Sequence, residues 1–555
     1  MHNAAAPLRK SLVAAFLLAL AACGGGGGGG SASTPTPTPQ PTPVPPVVLP
    51  TVDVSAVAAA DPGSPLPAGW DKGAFMEIFV RSYQDSDGDG NGDLKGLISR
   101  LDYLQALGVK GLWLMPVTAS QDHDHGYAVA DYRAIEATYG TLADFDELIR
   151  QAHARGIGVI VDYVMNHSAA QNPLFLNSGD AATNPYRSWY LWQNPAPAGW
   201  SIYGANPWRA AASGSYFAAF DVTMPDWNLT LPAVVAYHQD NQRFWLNRGA
   251  DGFRFDAVGN LVENGPAAWL DQPQNYTLMA QMQALAAGYQ RRTIVCEAPD
   301  DPQGFGKAGA CGSAFAFDLS ASIVSAARGN TVAIQNVSNY FKTAPPGMST
   351  MISNHDSFAG QRLWDQVGGN AAQYRLAAAT YLLLPGRPFI YYGEEVGMSG
   401  AAALVGDAAL RSPMSWAGDA SRAGFTTGLP YRALAGNVTT QNAAAAAADP
   451  NSLLAFYKAM LALRNGLPSI AQGSYEQPFV SGSVMGYQRA FGGERSLVLV
   501  NYGSSDATLG VAALPAGASL LNQYPAGAAG ATVSAAGVAS ITVPAQSLRV
   551  LKVGP

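Results

Sequence analysis

The stretch Gly-Phe-Arg-Phe-Asp-Ala-Val at residues 252–258 decides the fold of this chain. It is a short apolar run that carries one arginine and then an acid, Asp256. Apolar runs of this kind are typical of strands in a parallel sheet, because both faces of such a sheet are buried. Comparable runs that end in polar residues recur at 158–167, 293–298 and 349–356. They predict strands of one parallel sheet whose polar residues gather at the carboxyl edge.

Eight such strand candidates follow one another, with helical periodicity between most of them. This alternation predicts an α/β fold, namely a closed (β/α)8 TIM barrel. A doubly wound open sheet is the alternative, but the glycines after the first run, Gly88, Gly90 and Gly92, alternate with acids that would repel a phosphate. The predicted strands are 75–83, 109–117, 158–167, 252–258, 293–298, 313–319, 349–356 and 388–395, and the clearest helices are 96–108, 142–156, 234–249 and 371–384.

Two changes of composition divide the chain further. Residues 168–232 separate the third strand from its helix and are rich in Asn, Pro, Trp and Tyr. A connection of this length predicts a small domain inserted into the barrel. After residue 472 only short apolar runs remain, with Gly, Ala, Pro and Ser between them. This pattern predicts a C-terminal all-β sandwich at 473–555, which leaves 66–472 as the catalytic barrel.

The N-terminus has the features of an export signal. A basic pair precedes an apolar run at 11–20 that is too short to span a bilayer core of about 30 Å. The run ends in Leu-Ala-Ala-Cys at 20–23, which resembles the lipobox of bacterial lipoproteins. We therefore expect a signal peptide at 1–22, a lipid anchor on Cys23 and a Gly/Thr/Pro-rich linker at 23–65 that holds an exported protein at a membrane or the cell surface. Free secretion is the alternative.

Composition limits the choice of partner. Only 13% of the 555 residues are charged, the net charge is −7, and no Lys/Arg cluster occurs beyond the N-terminus. A nucleic-acid partner is therefore excluded, and a neutral polymer is favoured. Cys296 and Cys311 either form a disulfide in an oxidising compartment or stay as buried thiols, and the sequence leaves both open.

The carboxyl ends of the predicted strands carry three acids, Asp256, Glu297 and Asp356. Retaining glycoside hydrolysis requires two carboxyl groups about 5–5.5 Å apart, one as nucleophile and one as acid and then base. Arg254 lies two residues before Asp256 on the same strand face, where its charge can keep that carboxylate ionised. A third carboxylate can grip the sugar as its ring flattens. This set points to retaining cleavage of a glycosidic bond.

These segments resemble, in order, the signature regions of the α-amylase superfamily, glycoside hydrolase family 13. The resemblance implies Asp256 as nucleophile, Glu297 as general acid/base and Asp356 as transition-state stabiliser. The Met-Pro-Asp start of segment 224–228 resembles intermediate α-amylases, between the oligo-1,6-glucosidase and neopullulanase groups. The residues that would bind the sugar at the cleavage point are His125, Tyr127, His167, Arg254 and His355.

An acidic loop follows the first predicted strand. Acids at alternate positions, with glycines between them, let the backbone curl so that several oxygens face one hard cation. The loop is not an EF-hand, since Gly96 stands where that motif needs Glu, but several members of the family carry a similar loop. A solvated acidic turn is the alternative. The predicted ligands for Ca²⁺ are Asp85, Asp87, Asp89, Asn91 and Asp93.

The resemblance implies an endo-acting α-amylase, expected to be a monomer, that cleaves α-1,4-glucosidic bonds in starch and maltooligosaccharides. The first alternative is an α-glucosidase, a cyclomaltodextrinase-like enzyme or a transglycosylase of the same family. Many α-amylases carry Lys-His where this chain has Gly259 and Asn260, which leaves the sugar contacts on the leaving side open. A surface glucan-binding protein with an inactive barrel is the alternative of another class, but all three acids are present.

Aromatic side chains of the inserted segment have two possible roles. They can stack on the faces of glucan sugars or form the core of the small domain itself, which is the commoner role. These residues are Trp189, Tyr190, Trp192, Trp200, Tyr203 and Trp208.

Overall fold

The computed structural model describes residues 49–554. The predicted signal peptide, the anchor residue Cys23 and most of the predicted linker lie outside these residues. Within residues 49–554, no helix is both long and apolar enough to cross a membrane.

Eight parallel strands close into a barrel in sequence order. The first and last strands pair directly, Phe75 with Phe389, so the sheet has no open edge and the doubly wound alternative is wrong. The TIM barrel is confirmed. Its strands are β1 (Phe75–Ile78), β2 (Gly111–Leu114), β3 (Gly158–Tyr163), β4 (Gly252–Phe255), β5 (Thr293–Cys296), β6 (Ala314–Phe315), β7 (Met348–Thr350) and β8 (Arg387–Tyr391).

Most of these strands are shorter than the apolar runs that predicted them. The first run, for example, ends as a strand at Ile78, and a short helix, Val80–Tyr83, follows. After β7 the chain leaves the sheet at Thr350, although Met351 and Ile352 are as buried as strand residues. An apolar run of sequence indicates that its residues are buried, but not whether they pair with a neighbouring strand. The buried first residues of the following loops are therefore predicted as strand.

Helices surround the barrel. The helix predicted at 96–108 is divided at Arg100, which ends one helix and precedes the next. The helix after β2 begins with a capping box of Thr141 and Asp144 and buries the face that its periodicity predicted. The helices are Leu94–Ser99, Leu101–Leu107, Leu142–Ala154, Pro232–Asn247, Pro273–Ala287, Pro302–Phe305, Phe317–Ala327, Thr331–Tyr340, Leu363–Gln366, Ala371–Leu383, Asp407–Leu410, Ala443–Ala448, Leu453–Gly466 and Pro468–Gln472.

The barrel interior is filled by large side chains. One cluster joins residues of six strands, among them Phe75, Trp113, Phe315 and Phe389. Along β4, Phe253 and Phe255 belong to the separate core between sheet and helices. Because strand side chains alternate, the residue between them points to the barrel axis. The packed interior therefore forms the floor on which the polar residues at the carboxyl ends rest.

The long connection after β3 forms a small domain, as predicted. It contains helix Pro173–Asp180 and a three-stranded antiparallel sheet of Trp192–Gln193, Gly214–Phe217 and Trp208–Ala211, in that order. A hairpin of Thr118–Ser120 and Val129–Ile135 follows β2.

The C-terminal domain consists of two antiparallel sheets. A six-stranded sheet has the order β9-β10-β11-β16-β13-β14, and β12 pairs with β15. Apolar side chains from both sheets share one core, which confirms the all-β prediction. The strands are β9 (Ser474–Ser481), β10 (Val484–Phe491), β11 (Glu494–Asn501), β12 (Ala507–Val511), β13 (Ser519–Tyr524), β14 (Ala531–Thr532), β15 (Ala539–Val543) and β16 (Ser547–Val553).

Residues 49–65, assigned to the linker from sequence, lie along the outside of the barrel. Arg133 donates a hydrogen bond to the Ser55 carbonyl (2.9 Å), and Asn247 donates to the Ala58 carbonyl (2.9 Å). The Ser64 amide donates to the Gln290 side chain (2.9 Å). Residues 49–65 thus belong with the barrel and not with a linker, because their backbone groups find partners on it.

Cys296 and Cys311 form a disulfide. Cys296 is the last residue of β5, and Cys311 lies in the loop before β6. The pairing decides between the two alternatives that the sequence left open.

Candidate active site

The guanidinium group of Arg254 lies at the centre of the barrel mouth and is completely buried. Its Nη1 atom is 2.8 Å from Asp162 Oδ1 and 2.7 Å from Asp256 Oδ1. Its Nη2 atom is 2.7 Å from Glu297 Oε2. The sheet register places Asp162 of β3 beside Arg254, and Glu297 follows the next strand. Three adjacent strands therefore deliver one carboxylate each to a single cation.

Asp256 and Glu297 are close neighbours. The Ala257 amide donates a hydrogen bond to Glu297 Oε2 (2.9 Å), which ties the loop after β4 to the end of β5. An oxygen of each carboxyl group is 2.7 Å from the guanidinium of Arg254, so the two groups face the same cation. This arrangement brings the two carboxyl groups together, and retaining enzymes hold theirs about 5–5.5 Å apart. It fits the retaining arrangement.

The environment gives the two acids different protonation tendencies. Burial raises the pKa of Glu297 to about 7, with the charges of Asp256 and Asp356 adding to the effect and Arg254 opposing it. Burial also raises the pKa of Asp256, and its direct ion pair with Arg254 acts in the opposite direction. Glu297 therefore keeps its proton up to about neutral pH, which suits a general acid. Asp256, whose carboxylate is paired with Arg254, suits a nucleophile.

A second charge cluster holds Asp356. One of its oxygens is 3.0 Å from His355 Nε2, and the other is 2.7 Å from Arg411 Nη2. Burial alone would raise the pKa of Asp356, but these two cations hold it well below its usual range. His355 is in turn 2.6 Å from Glu77 Oε1. Although burial lowers the pKa of His355, Asp356 and Glu77 raise it to about 10, so the imidazole is charged.

The remaining predicted sugar-binding residues lie at the same mouth. Tyr127 donates a hydrogen bond to Asp162 Oδ2 (3.0 Å), and its ring stacks on that of His355. His125 accepts a hydrogen bond from the Tyr127 amide, and burial lowers its pKa. Burial lowers the pKa of His167 to about 4, and its Nε2 atom has no hydrogen-bond partner among residues 49–554. This neutral imidazole is therefore available to a sugar hydroxyl.

The contacts thus join the sequence-predicted catalytic and sugar-binding residues into one site. Sequence reasoning missed the supporting roles of Glu77, Asp162 and Arg411. For the first two a signal exists, because each is a charged residue inside an otherwise apolar strand. No local pattern identifies Arg411, which reaches Asp356 across 55 residues of chain.

The acidic loop brings three of its five predicted ligands together. Carboxylate oxygens of Asp85, Asp87 and Asp89 lie within 4.8 Å of one another, a donor set that fits a hard cation. The side-chain oxygen of Asn91 instead accepts a hydrogen bond from Arg81 (2.6 Å). Asp93 accepts hydrogen bonds from the Gly96 amide and from Ser86, so it caps the helix that follows. Three carboxylates fit a Ca²⁺ site here. Asp85 also accepts hydrogen bonds from backbone amides of the loop, and the side chains of Asn91 and Asp93 have other partners as well.

The packing of the loop after β4 accounts for Gly259 and Asn260, which stand where many α-amylases carry Lys-His. A Cβ atom at Gly259 would lie 2.7 Å from Asp271 Oδ1 and 3.1 Å from a Leu270 methyl carbon, so no lysine fits without displacing them. Asn260 is buried, and its side-chain oxygen accepts a hydrogen bond from the Tyr203 hydroxyl (3.2 Å).

Comparison with known proteins agrees with this geometry. The family model described as "Alpha amylase, catalytic domain" matches residues 77–473. Alpha-amylase 3 of Dictyoglomus thermophilum is 33% identical over 452 residues, which cover 78% of this chain and 85% of that protein. An alpha-glucosidase of Pediococcus pentosaceus is 29% identical over 539 residues, covering 82% and 95% respectively.

A solved structure shares the architecture as well. The crystal structure of an alpha-glucosyl transfer enzyme aligns with a TM-score of 0.74 and 28% identity, over 88% of this chain and 99% of that chain. The similarity therefore extends over the barrel and well beyond it.

We expect Glu77→Gln to lower the melting temperature most near pH 6 and least near pH 10. The pKa of His355 rises from 6.5 to about 10 on folding, so its charge stabilises the fold fully below about pH 6.5, and this contribution is lost as pH rises to 10. Glutamine keeps a hydrogen bond but removes the negative charge that helps to hold the proton. Calorimetry of the parent protein and the variant across this pH range checks the prediction. A difference in melting temperature that does not change with pH would contradict it.

Proposed function

Because this chain belongs to the α-amylase family, we propose that it is a retaining hydrolase of α-1,4-glucosidic bonds in starch and maltooligosaccharides. The observation that carries the proposal is the pair of Asp256 and Glu297 held on the one guanidinium of Arg254, both within 2.7 Å of it. The name of the Dictyoglomus relative supports the substrate, and the low charged fraction of the chain, 13%, suits an uncharged glucan.

In the first step a carboxylate oxygen of Asp256 attacks the anomeric carbon while Glu297 gives its proton to the glycosidic oxygen. The bond between that carbon and that oxygen breaks, and an ester bond to Asp256 forms. The leaving sugar departs as a neutral alcohol. Glu297 can supply the proton because burial raises its pKa to about 7.

In the second step Glu297, now a carboxylate, takes a proton from water as the water oxygen attacks the same carbon. The ester breaks, Asp256 regains its charge, and the product keeps the α configuration. If a sugar hydroxyl replaces water, the same step forms a new glycosidic bond. Arg254 stabilises Asp256 each time the carboxylate returns.

The sugar ring gains positive charge as the bond breaks, and Asp356 provides the matching negative charge. It stays ionised because His355 and Arg411 hold its two oxygens. Tyr127 and His355 present a stacked pair of rings at the sugar-binding position, and the unpaired Nε2 of His167 offers a hydrogen-bonding group. These residues orient the glucose unit whose anomeric carbon reacts.

Action on chain ends, as in an α-glucosidase or a transglycosylating enzyme, is the second candidate. The names of the Pediococcus relative and of the solved α-glucosyl transfer enzyme favour it. Incubation with soluble starch, maltooligosaccharides, pullulan and cyclodextrin, followed by product sizing, separates the candidates. Endo action releases a mixture of short oligosaccharides early, whereas chain-end action releases glucose alone.

We expect Glu297→Gln to lower kcat/KM on maltotriose by about 10³-fold, because the leaving alcohol loses its proton donor. α-Glucosyl fluoride needs no such proton, so its cleavage to the ester should fall far less. In the unchanged enzyme kcat/KM should decrease as pH rises through about 7, where Glu297 loses its proton.

Glu147→Gln, the same change at an exposed helix position, is the matched control and should alter neither substrate. NMR of the first product anomer accompanies the kinetics. Full activity of the Glu297 variant on maltotriose, or first release of the β-anomer, would refute the assignment.

The acidic loop is proposed to bind Ca²⁺ through Asp85, Asp87 and Asp89. Asn91 would add its backbone carbonyl oxygen, since its side-chain oxygen is bound to Arg81, and Asp93 would join if its carboxylate turns from its cap. A bound Ca²⁺ would offset two of the three negative charges of these close carboxylates and so stabilise the loop. No catalytic step requires it.

Chelation with EGTA should lower the melting temperature by about 2–5 °C, because a ligand that binds only the folded chain stabilises it. Asp87→Asn should remove most of this response. Asp102→Asn, which neutralises an exposed acid on a nearby helix, should retain it. A melting curve of the unchanged protein that EGTA does not shift would overturn the site.

Export and anchoring through Cys23 are proposed from the N-terminal segment alone. The polar linker would keep the barrel away from the membrane surface while glucan enters its mouth. The lipid would then be the chain's attachment to the membrane.

Replacing Cys23 with Ala should move the protein from the membrane fraction to the soluble fraction of a bacterial host, because no acylated thiol remains. Incorporation of labelled palmitate should disappear with it. An unlabelled, soluble parent protein would argue for free secretion.

A further inference from the structure

Five of the six aromatic residues that were candidates for sugar stacking pack against other side chains of the inserted domain or of the barrel. Trp192 lies between the ring of Phe175, with which it stacks at 5.6 Å, and the guanidinium of Arg187 at 3.9 Å. Trp200 and Trp208 pack against each other. Trp189 and Tyr190 both contact the buried ring of Trp227. Tyr190 is buried, and the four tryptophans are half-buried and pack against the apolar clusters of the domain.

Tyr203 differs from them because 60% of its surface is exposed. Phe220 stacks against its ring at 5.9 Å, and Trp269 meets it edge-on at 5.2 Å. Its backbone is in the left-handed region, with φ of 48°, which is uncommon for a bulky residue. The surroundings therefore hold a large ring in an exposed position at a cost in backbone strain.

Two chains of contacts connect Tyr203 to the reacting groups. Its hydroxyl donates to Asn260, and the Asn260 amide donates to the carbonyl of Ala257, whose own amide binds Glu297. On the other side, Phe220 contacts the ring of His167 at 5.4 Å. Tyr203 thus stands at the edge of the catalytic mouth.

The position of Tyr203 relative to Glu297 identifies which sugar it can meet. Glu297 protonates the glycosidic oxygen, so it lies on the side from which the leaving sugar departs. Tyr203 is linked to this side by hydrogen bonds, because its hydroxyl binds Asn260, and the loop that carries Asn260 is tied to Glu297 through the Ala257 amide. The glycone is held by Tyr127, His167 and the cluster of Asp356, and Phe220 contacts the rings of both His167 and Tyr203.

We propose that Tyr203, supported by Phe220 and Trp269, is the platform on which the leaving-group sugar stacks. This inference rests on the proposed function and adds the determinant of leaving-group recognition. The C–H face of a pyranose is apolar and matches an exposed aromatic face, while the rim hydroxyls find polar groups. Asn260 offers one, since its buried Nδ2 atom has no partner among residues 49–554. The same platform receives the acceptor sugar when the ester is transferred.

The test compares a leaving group that can stack with one that cannot. Maltotriose leaves a sugar on this side of the bond, whereas α-glucosyl fluoride leaves a fluoride ion. Tyr203→Ala should lower kcat/KM on maltotriose about tenfold and leave kcat/KM on the fluoride unchanged. Tyr203→Phe, which keeps the ring, should retain most of the activity on maltotriose.

Leu176→Ala removes another exposed apolar side chain of the inserted domain and serves as the matched control, unchanged on both substrates. Equal losses of the Tyr203→Ala variant on both substrates, or no loss on either, would overturn the platform while the proposed function stands. If the parent enzyme cleaves neither substrate, the proposed function fails and this inference fails with it. At high maltotriose concentration the ratio of transfer to hydrolysis should also decrease in Tyr203→Ala.

Discussion

A buried guanidinium that meets three carboxyl groups is the constraint on which the rest of the site depends. An unpaired charge at the position of Arg254 would cost several kcal/mol, so at least one carboxylate must accompany it. Asp162 meets this need from the floor of the mouth, and the two reacting acids complete the shell. One positive charge cannot neutralise three negative ones in a buried site. The imbalance favours a proton on one acid, and Glu297 holds it to about pH 7.

The second charge cluster, around Asp356, keeps a buried acid ionised instead of protonated. Asp356 must stay negative although it is largely buried, and it does so between two cations, His355 and Arg411. His355 is a cation because Asp356 faces one of its nitrogens and Glu77, on the first strand, faces the other. Charges from β1, from the loop after β7 and from the segment after β8 therefore act together. The closed barrel makes this possible, since closure brings the first and last strands side by side.

Loops added to the barrel adapt this mouth to a particular substrate. The inserted domain has its own aromatic core, yet it places Tyr203 and Phe220 beside the loop after β4. Packing of Asp271 against Gly259 removes the space that a longer side chain would need there. The proposed leaving-sugar platform thus arises from contacts between two segments that are more than 50 residues apart, Tyr203 and Asn260.

Much of the architecture follows from the sequence by itself. Eight apolar runs with helices between them require burial on both faces, which a parallel barrel provides, and acids or histidines at several of their ends identify the mouth. Tertiary structure alone decided where strands stop, because Met351 is buried without pairing in the sheet, and that residues 49–65 belong with the barrel, because their backbone groups bind it. It also decided the partners of Glu77 and Arg411 and the free face of Tyr203. Local sequence patterns indicate which side chains are buried. Ion pairs between residues that are distant in the chain exist only once the chain has folded.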